Sequence, residues 1–284
     1  MADLLPTAEQ QELASSVARV LAAERTVLPA LAQLGWLGIA TDLPLVEQAL
    51  VVREFGRALA PLQTLAAIAA ARLAGDIASG AKRVALLAED HLIDDEGADL
   101  ALLITPQAAS LFSIESRTTL TPFDDSLSLS RAIATAPIHH IESPQPHRDM
   151  LILAGAYATG LCEAITAMAS DYARTREQFG QPIGAFQAIK HRCADMAIRA
   201  DAAWSQTVFA ALSPDSDYQA LSAFIVATSY AIESAQENIQ LHGAIGITEE
   251  LAAHRFLKRA HVLDMVFGPI NRCRDALLAC DDPQ

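Results

Sequence analysis

Residues 173–196 read ARTREQFGQPIGAFQAIKHRCADM. Two helix-like segments meet there at Phe179-Gly180, in a turn marked by glycine and proline. Taken alone, Phe179-Gly180 reads as a helix C-cap with a hydrophobic contact, and Pro182 as a simple stop. Arg176 alone reads as a solvated helix arginine, because long charged side chains are mostly exposed. The competing reading is that the arginines and glutamines around this corner grip a ligand.

Downstream of the corner, Phe186, Ile189, Cys193, Ala197, Ala200, Trp204 and Val208 trace one stripe at spacings of three and four. From about Asp149 to the end the period is helical. Upstream, from Arg83 to about Glu142, short apolar runs alternate with polar ones: RVALLAE, DLALLIT, SLFSIES, TLTPF, SLSLSRA and APIHHIE. The alternation in SLFSIES and SLSLSRA fits half-buried strands. The first part is helical again. Thr7 and Gln10 form a capping-box pattern ahead of Leu13, Val17, Val20 and Leu21. Pro29 reopens a helix that stops near Gly35, another runs from about Leu45 to before Pro61, and LQTLAAIAAARLAG closes the section at Gly75. The expected order is a helical segment over residues 1–80, a small β segment over 81–145 and a helical bundle over 146–284, a mainly α chain.

Composition narrows the partners. The chain has 284 residues, enough for a sizeable core, and is 52% hydrophobic with only 5% aromatic residues, which favours close-packed helices. A formal charge of -14 repels nucleic acid phosphates and anionic membranes, so neither is expected as a general partner. Cys162, Cys193, Cys273 and Cys280 form no CxxC pair and no Cys/His cluster of zinc spacing, so no metal is expected and the thiols read as reduced and cytoplasmic. The start, MADLLPTAEQQELASS, carries an early acid and no signal-peptide core, and LQTLAAIAAARLAG is too short to span a bilayer.

In this context the corner acquires a likeness. Arg-x-Gln-Phe-Gly-x-Pro-Ile-Gly-x-Phe-Gln from Arg176, followed by His191 and Ala194-Asp195-Met196, resembles a signature of the acyl-CoA dehydrogenase family. QENIQLHGAIGITEELAAHRFLKRA is similar to the family's second signature, carried by Gln240, Gly243, Gly246, Thr248 and Glu250, with Ala244 in place of a second glycine. EFGRALAP resembles the family's N-terminal helical domain. The resemblance implies a helical domain, a reduced β domain and a C-terminal four-helix bundle. It also implies FAD and the α,β-desaturation of an acyl-CoA thioester, with an electron-transfer acceptor to reoxidise the flavin. By the same resemblance Arg176 holds the FAD pyrophosphate, a task suited to a planar fork. Phe179 packs on the adenosine half, Gln187 hydrogen-bonds it, and the segment from Gln240 through Gly243 to Ala244 lets backbone N–H groups approach the pyrophosphate. In this family these residues reach across an interface to a neighbour's FAD. His191 and Asp195 read as packing and hydrogen-bonding residues, His242 as a turn residue, and Glu249 and Glu250 as first-turn acids of a helix beginning at Thr248.

Two departures from the family pattern stand out. The chemistry needs a carboxylate base within reach of the α proton. Carried without gaps from Thr248, the usual Glu position falls on Phe267. The other family position, on the helix leading into the first signature, falls on Met150 with Asp149 beside it, and one residue of offset swings a helical side chain by about 100°. Glu163 lies nearer the signature but reads as a solvated helix face. The catalytic residue is therefore unassigned. The Thr-Glu-Pro-x-x-Gly-Ser stretch that lines the flavin and acyl chain in the family has no counterpart between Gly75 and Glu142. Together these imply a shortened subunit of an α2β2 enzyme whose related partner chain supplies the base and most of the acyl-CoA pocket. Such subunits in the family oxidise steroid side-chain CoA thioesters. The alternatives are a self-sufficient homo-oligomer using a base such as Asp149, and a non-catalytic scaffold that keeps the bundle for assembly.

Overall fold

The computed structural model describes residues 6–23, 27–33, 35–134 and 136–280. The first five residues, on which the reading of the N-terminus partly rests, lie outside them. Helix α1 (Ala8–Ala23) opens with the capping box: Thr7 N–H donates to Gln10 Oε1 at 3.0 Å and Gln10 N–H to Thr7 Oγ1 at 3.3 Å. Helices α2 (Val27–Gln33), α3 (Trp36–Ala40), α4 (Leu45–Arg57), α5 (Gln63–Ala71) and α6 (Gly75–Ala78) follow. Helix α4 presents a broad apolar face, with Ala49, Val51, Val52 and Phe55 fully buried.

Six strands come next: β1 (Val84–Ala88), β2 (His91–Ile93), β3 (Leu100–Thr105), β4 (Ala108–Thr119), β5 (Leu129–Ala134) and β6 (His139–Glu142). Their order is β3-β1-β2-β5-β4-β6, and β3 also pairs with β4, so five strands close into a ring with β6 added at the edge. The long strand β4 achieves this by pairing with β3 and β6 along its first half and with β5 along its second. The TLTPF run is only the end of β4 and the loop beyond it, where Pro122 removes a ladder donor.

The bundle is built on α7 (Gln145–Thr175), α8 (Gln187–Ala211), α9 (Asp217–His242), α10 (Ala253–Val266) and α11 (Ile270–Leu278). Helix α7 is apolar and long enough to cross a membrane, but 78% of its most apolar window is buried, so it is the core helix of the fold. It crosses α4 at two glycines. A Cβ on Gly56 would stand 1.9 Å from the Tyr157 carbonyl oxygen, and one on Gly160 2.0 Å from that of Arg53. Only glycine permits backbones that close. The α8 stripe is shifted from the sequence expectation: Met196, Ala200, Ala203, Thr207 and Val208 are buried, whereas Ala197 faces out.

Three parts of the chain are joined through one buried cation. Arg259 on α10, 1% exposed, donates from Nε to Asp124 Oδ2 at 2.8 Å, from Nη1 to the Ala60 carbonyl at 2.7 Å and to the Tyr157 hydroxyl, and from Nη2 to Ser126 Oγ at 2.8 Å. The guanidinium thus ties the β4–β5 loop, the end of the α4 segment and α7 to α10. Burial pushes the Tyr157 hydroxyl up to about 12, so it stays protonated and donates to the Ala60 carbonyl at 2.6 Å.

Candidate functional site

The corner that opens the reading is a hairpin rather than a bare helical junction. Helix α7 ends at Thr175, and strands β7 (Glu177–Gln178) and β8 (Gln181–Pro182) pair across a two-residue turn at Phe179-Gly180. Both turn residues have positive φ, 55° and 81°. This is the hairpin turn whose twist matches its strands and whose positions favour Asn and Gly. Gly180 satisfies that demand and Phe179 violates it. A left-handed L-residue costs roughly 1–2 kcal/mol. Phe179 is also 92% exposed, its one aromatic neighbour being Phe186 in a T-shaped contact at 6.1 Å. Nothing in the fold of the chain rewards a phenylalanine there.

The other residues singled out by sequence gather at the same end of the bundle. The chain runs up α7, down α8 and up α9, so the end of α7, the start of α8 and the end of α9 lie together. Tyr172 fastens them: its ring stacks on His242 at 4.1 Å, and its hydroxyl reaches the His242 carbonyl at 3.5 Å. Arg176 is exposed and its side chain has no hydrogen bond or ion pair among the described residues. The same holds for Gln187 and Gln240. Of the neighbouring cations, Arg174 pairs with Asp171 and Arg192 with Glu237, while Lys190 is exposed and has no ion pair among the described residues. Gly243 caps α9 at φ 66°, and a Cβ there would meet nothing within 4 Å, so the glycine serves the dihedral and leaves the backbone open. Ala244 beside it is exposed, and Gly246 is needed for space, because a Cβ there would stand 2.7 Å from the Ile239 carbonyl oxygen.

Several local expectations change. His242 is 6% exposed and stacked, not a turn residue, because it still belongs to α9 and its Nδ1 donates to the Asn238 carbonyl, 2.8 Å away. His191 and Asp195 are exposed on α8 rather than packed. Helix α10 starts at Ala253, after a 3-10 turn over Gly243–Ile247, so Glu249 and Glu250 precede it instead of filling its first turn. Tyr172, which organises this end, was not read as a site residue. Its spacing of four from Arg176 is the signal that could have found it.

The candidate bases are all engaged. Phe267 is half-buried, edge-on to Phe224 at 6.3 Å. Met150 is 1% exposed in the core. Asp149 accepts from Arg72 at 2.5 Å and from Gln145 at 2.8 Å, one bond on each carboxylate oxygen. Glu163 accepts from Arg57 at 2.6 Å, with Arg53 at 3.7 Å, in a half-buried network between α4 and α7. Among the described residues no three His, Cys, Asp or Glu side chains are grouped to hold a metal ion. Cys162, Cys193 and Cys273 are free thiols, and burial pushes the Cys273 thiol up to about 11.

The unpaired Arg176, two free amides, the open Gly243-Ala244 backbone and the exposed ring fit a nucleotide's pyrophosphate and adenosine half. The opposite wall of a flavin site finds no such donors: the cavity between β2, the β4–β5 loop and α10 is lined by apolar side chains, Glu89, His91, Ser128 and Asp124, with no Lys or Arg.

Residues 151–279 match the acyl-CoA dehydrogenase C-terminal domain family. The chain is 32% identical over 229 residues to acyl-CoA dehydrogenase IpdE2 of Mycobacterium tuberculosis, covering 76% of this chain and 72% of that protein. Among solved structures, the ChsE4–ChsE5 complex from Mycobacterium tuberculosis has a TM-score of 0.80 at 19% identity, over 99% of this chain and 100% of that one. A variant of the Tcur3481–Tcur3483 steroid ACAD has a TM-score of 0.79 at 20% identity, covering 95% and 97%. A glutaryl-CoA dehydrogenase from Mycobacterium smegmatis solved in complex with FADH2 has 0.79 at 13% identity, covering 96% and 94%.

Proposed function

The chain belongs to the acyl-CoA dehydrogenase family, and from that premise we propose that it is one subunit of a hetero-oligomeric, FAD-dependent acyl-CoA dehydrogenase. FAD, when bound, would supply a hydride acceptor for the β carbon of an acyl-CoA thioester, with a carboxylate base needed for the α proton. This chain's share is the outer half of that site. Arg176 pairs with the pyrophosphate, Phe179 covers the adenosine end, Gln187 hydrogen-bonds that half, and Gln240 opens the segment that approaches the pyrophosphate. Gly243 and Ala244 leave their backbone free to approach the phosphates. The flavin so held belongs to a related chain, which brings the flavin-facing wall and the carboxylate base. An external electron-transfer acceptor would reoxidise that flavin.

The observation that carries this reading is Phe179, held at φ 55° and 92% exposed beside an unpaired Arg176. Strain and exposure of that kind mark function when the fold itself gains nothing from them. Assembly as two unlike chains has a counterpart of the same fold in the ChsE4–ChsE5 complex. Likeness to the steroid ACAD supports a steroid side-chain CoA thioester as substrate. A base at Asp149 is disfavoured by its bonds to Arg72 and Gln145, which hold both carboxylate oxygens.

The test is Arg176→Ala in the complex of this chain with its related partner. Losing a charge-assisted bond to phosphate weakens FAD binding by about 10- to 100-fold, from roughly 1.5–3 kcal/mol. Flavin content read from absorbance falls accordingly. Unchanged flavin content would return the chain to a scaffold role.

A further inference from the structure

The turn after α9 carries more than cofactor residues. Its 3-10 segment, Gly243–Ile247, rotates by about 120° per residue, so successive side chains point to different sides. Gly246 takes the inner side: a Cβ there would meet the Ile239 carbonyl oxygen at 2.7 Å and the His242 Cβ at 3.1 Å. Ile245 and Ile247, on either side of it, are turned outward and are 41% and 70% exposed. Thr248 locks the segment, donating to the Ile245 carbonyl from its N–H at 3.2 Å and from its hydroxyl at 2.9 Å. The Tyr172–His242 stack fastens the same segment to α7. Two isoleucines are thus displayed on a turn that is already held in place, and such a turn loses little freedom when something covers it.

Glu249 and Glu250 follow directly. Both are exposed, and neither side chain has an ion pair or hydrogen bond among the described residues. An apolar knob beside unpaired acids has the make-up of a protein interface, with an apolar centre and a polar rim. Isoleucine left in water gains nothing for the fold, whereas covering it is favourable.

What covers the knob follows from the shared-cofactor reading, on which this inference rests. Gly243 and Ala244 serve a flavin seated on the related chain, and Ile245 and Ile247 come one and three residues later. The surface of the related chain therefore stands against the same turn. A second copy of this chain fits less well, because its formal charge of -14 brings an acidic surface to Glu249 and Glu250. We propose that Ile247, supported by Ile245, anchors this subunit in an apolar depression of the related chain, whose rim supplies Lys or Arg to Glu249 and Glu250.

Sedimentation of the chain mixed with its related partner, in saturating FAD, tests the anchor. Ile247→Asp, at an exposed position, is expected to weaken the association at least about tenfold, as loss of a hot-spot side chain does. Glu249→Lys combined with Glu250→Lys is expected to slow association at low salt, with the difference shrinking at high salt. Thermal melts of the variant chains alone establish that they fold. Arg176→Ala, read by flavin content, separates the two claims. Normal assembly of Ile247→Asp while Arg176→Ala loses flavin would overturn the anchor and leave the shared site standing. Weak assembly of Ile247→Asp with flavin indifferent to Arg176→Ala would support the anchor and strike the shared site. A homo-oligomer of this chain that Ile247→Asp dissociates would also overturn the proposal, because the occupant would be a second copy.

Discussion

Phe179 sets the terms at the scale of single residues. A side chain that is both in the left-handed region and almost fully in water costs the fold, and on the proposed reading that cost serves a bound nucleotide. Phe179→Asn should therefore raise chain stability by about 1 kcal/mol, because Asn tolerates this dihedral. The same change should lower the flavin content of the complex, because the ring over the adenosine is gone. Measuring melting temperature and flavin absorbance on the same variant checks both halves; a loss of stability with flavin unchanged would contradict them. Arg176 complements it chemically, a guanidinium without an internal partner in a chain of formal charge -14. His147 illustrates a different residue-scale effect. Burial holds its imidazole below the ordinary 6.5, against the pull of Asp217. The unfolded chain then binds the proton first, so stability falls as pH drops through 6.5 toward the depressed folded value. His147→Gln should flatten the decline in melting temperature between about pH 7 and 5; an unaltered slope would assign the acid sensitivity elsewhere.

Elements show where the sequence was readable and where it was not. The helices around Leu45–Arg57, the strands at RVALLAE, DLALLIT and SLFSIES, and the long bundle helices follow hydrophobic period and proline or glycine punctuation. Those signals are local. The hairpin at Glu177–Pro182 escaped because its strands are two residues long and its turn carries Phe where the pattern calls for Asn or Gly. The start of α10 at Ala253 escaped because the acids at Glu249 and Glu250 imitate a helix N-terminus. The six candidate cofactor residues were legible only as a spaced signature. Their meeting at one end depends on α7, α8 and α9 folding back on each other, and on the Tyr172–His242 stack, which no local pattern announces. The α4–α7 crossing is a further long-range fact. With its Cβ 2.0 Å from the Arg53 carbonyl, Gly160→Ala should force the helices apart and cost at least about 1–3 kcal/mol. Denaturant unfolding checks this, and a neutral outcome would mean that α4 can slide.

Over the whole molecule, cohesion and function separate onto different features. Cohesion between the β segment and the bundle is concentrated in Arg259, 1% exposed, with Asp124 on one side and Tyr157 on the other. Removing one charge strands the other, so Arg259→Met should destabilise by about 3–5 kcal/mol. Adding Asp124→Leu should recover part of that loss, and strict additivity in equilibrium unfolding would show that the pair is not coupled. The proposed function, in contrast, rests on exposed side chains at the Arg176 end of the bundle. The central claim is that this end completes a flavin site whose other half lies on a related chain. Its most direct test is the flavin absorption spectrum of the chain purified alone and then co-purified with the related acyl-CoA dehydrogenase chain. A colourless chain alone and a yellow complex with a fixed ratio of fewer flavins than chains is the predicted result. One FAD per chain in the chain purified alone would contradict it.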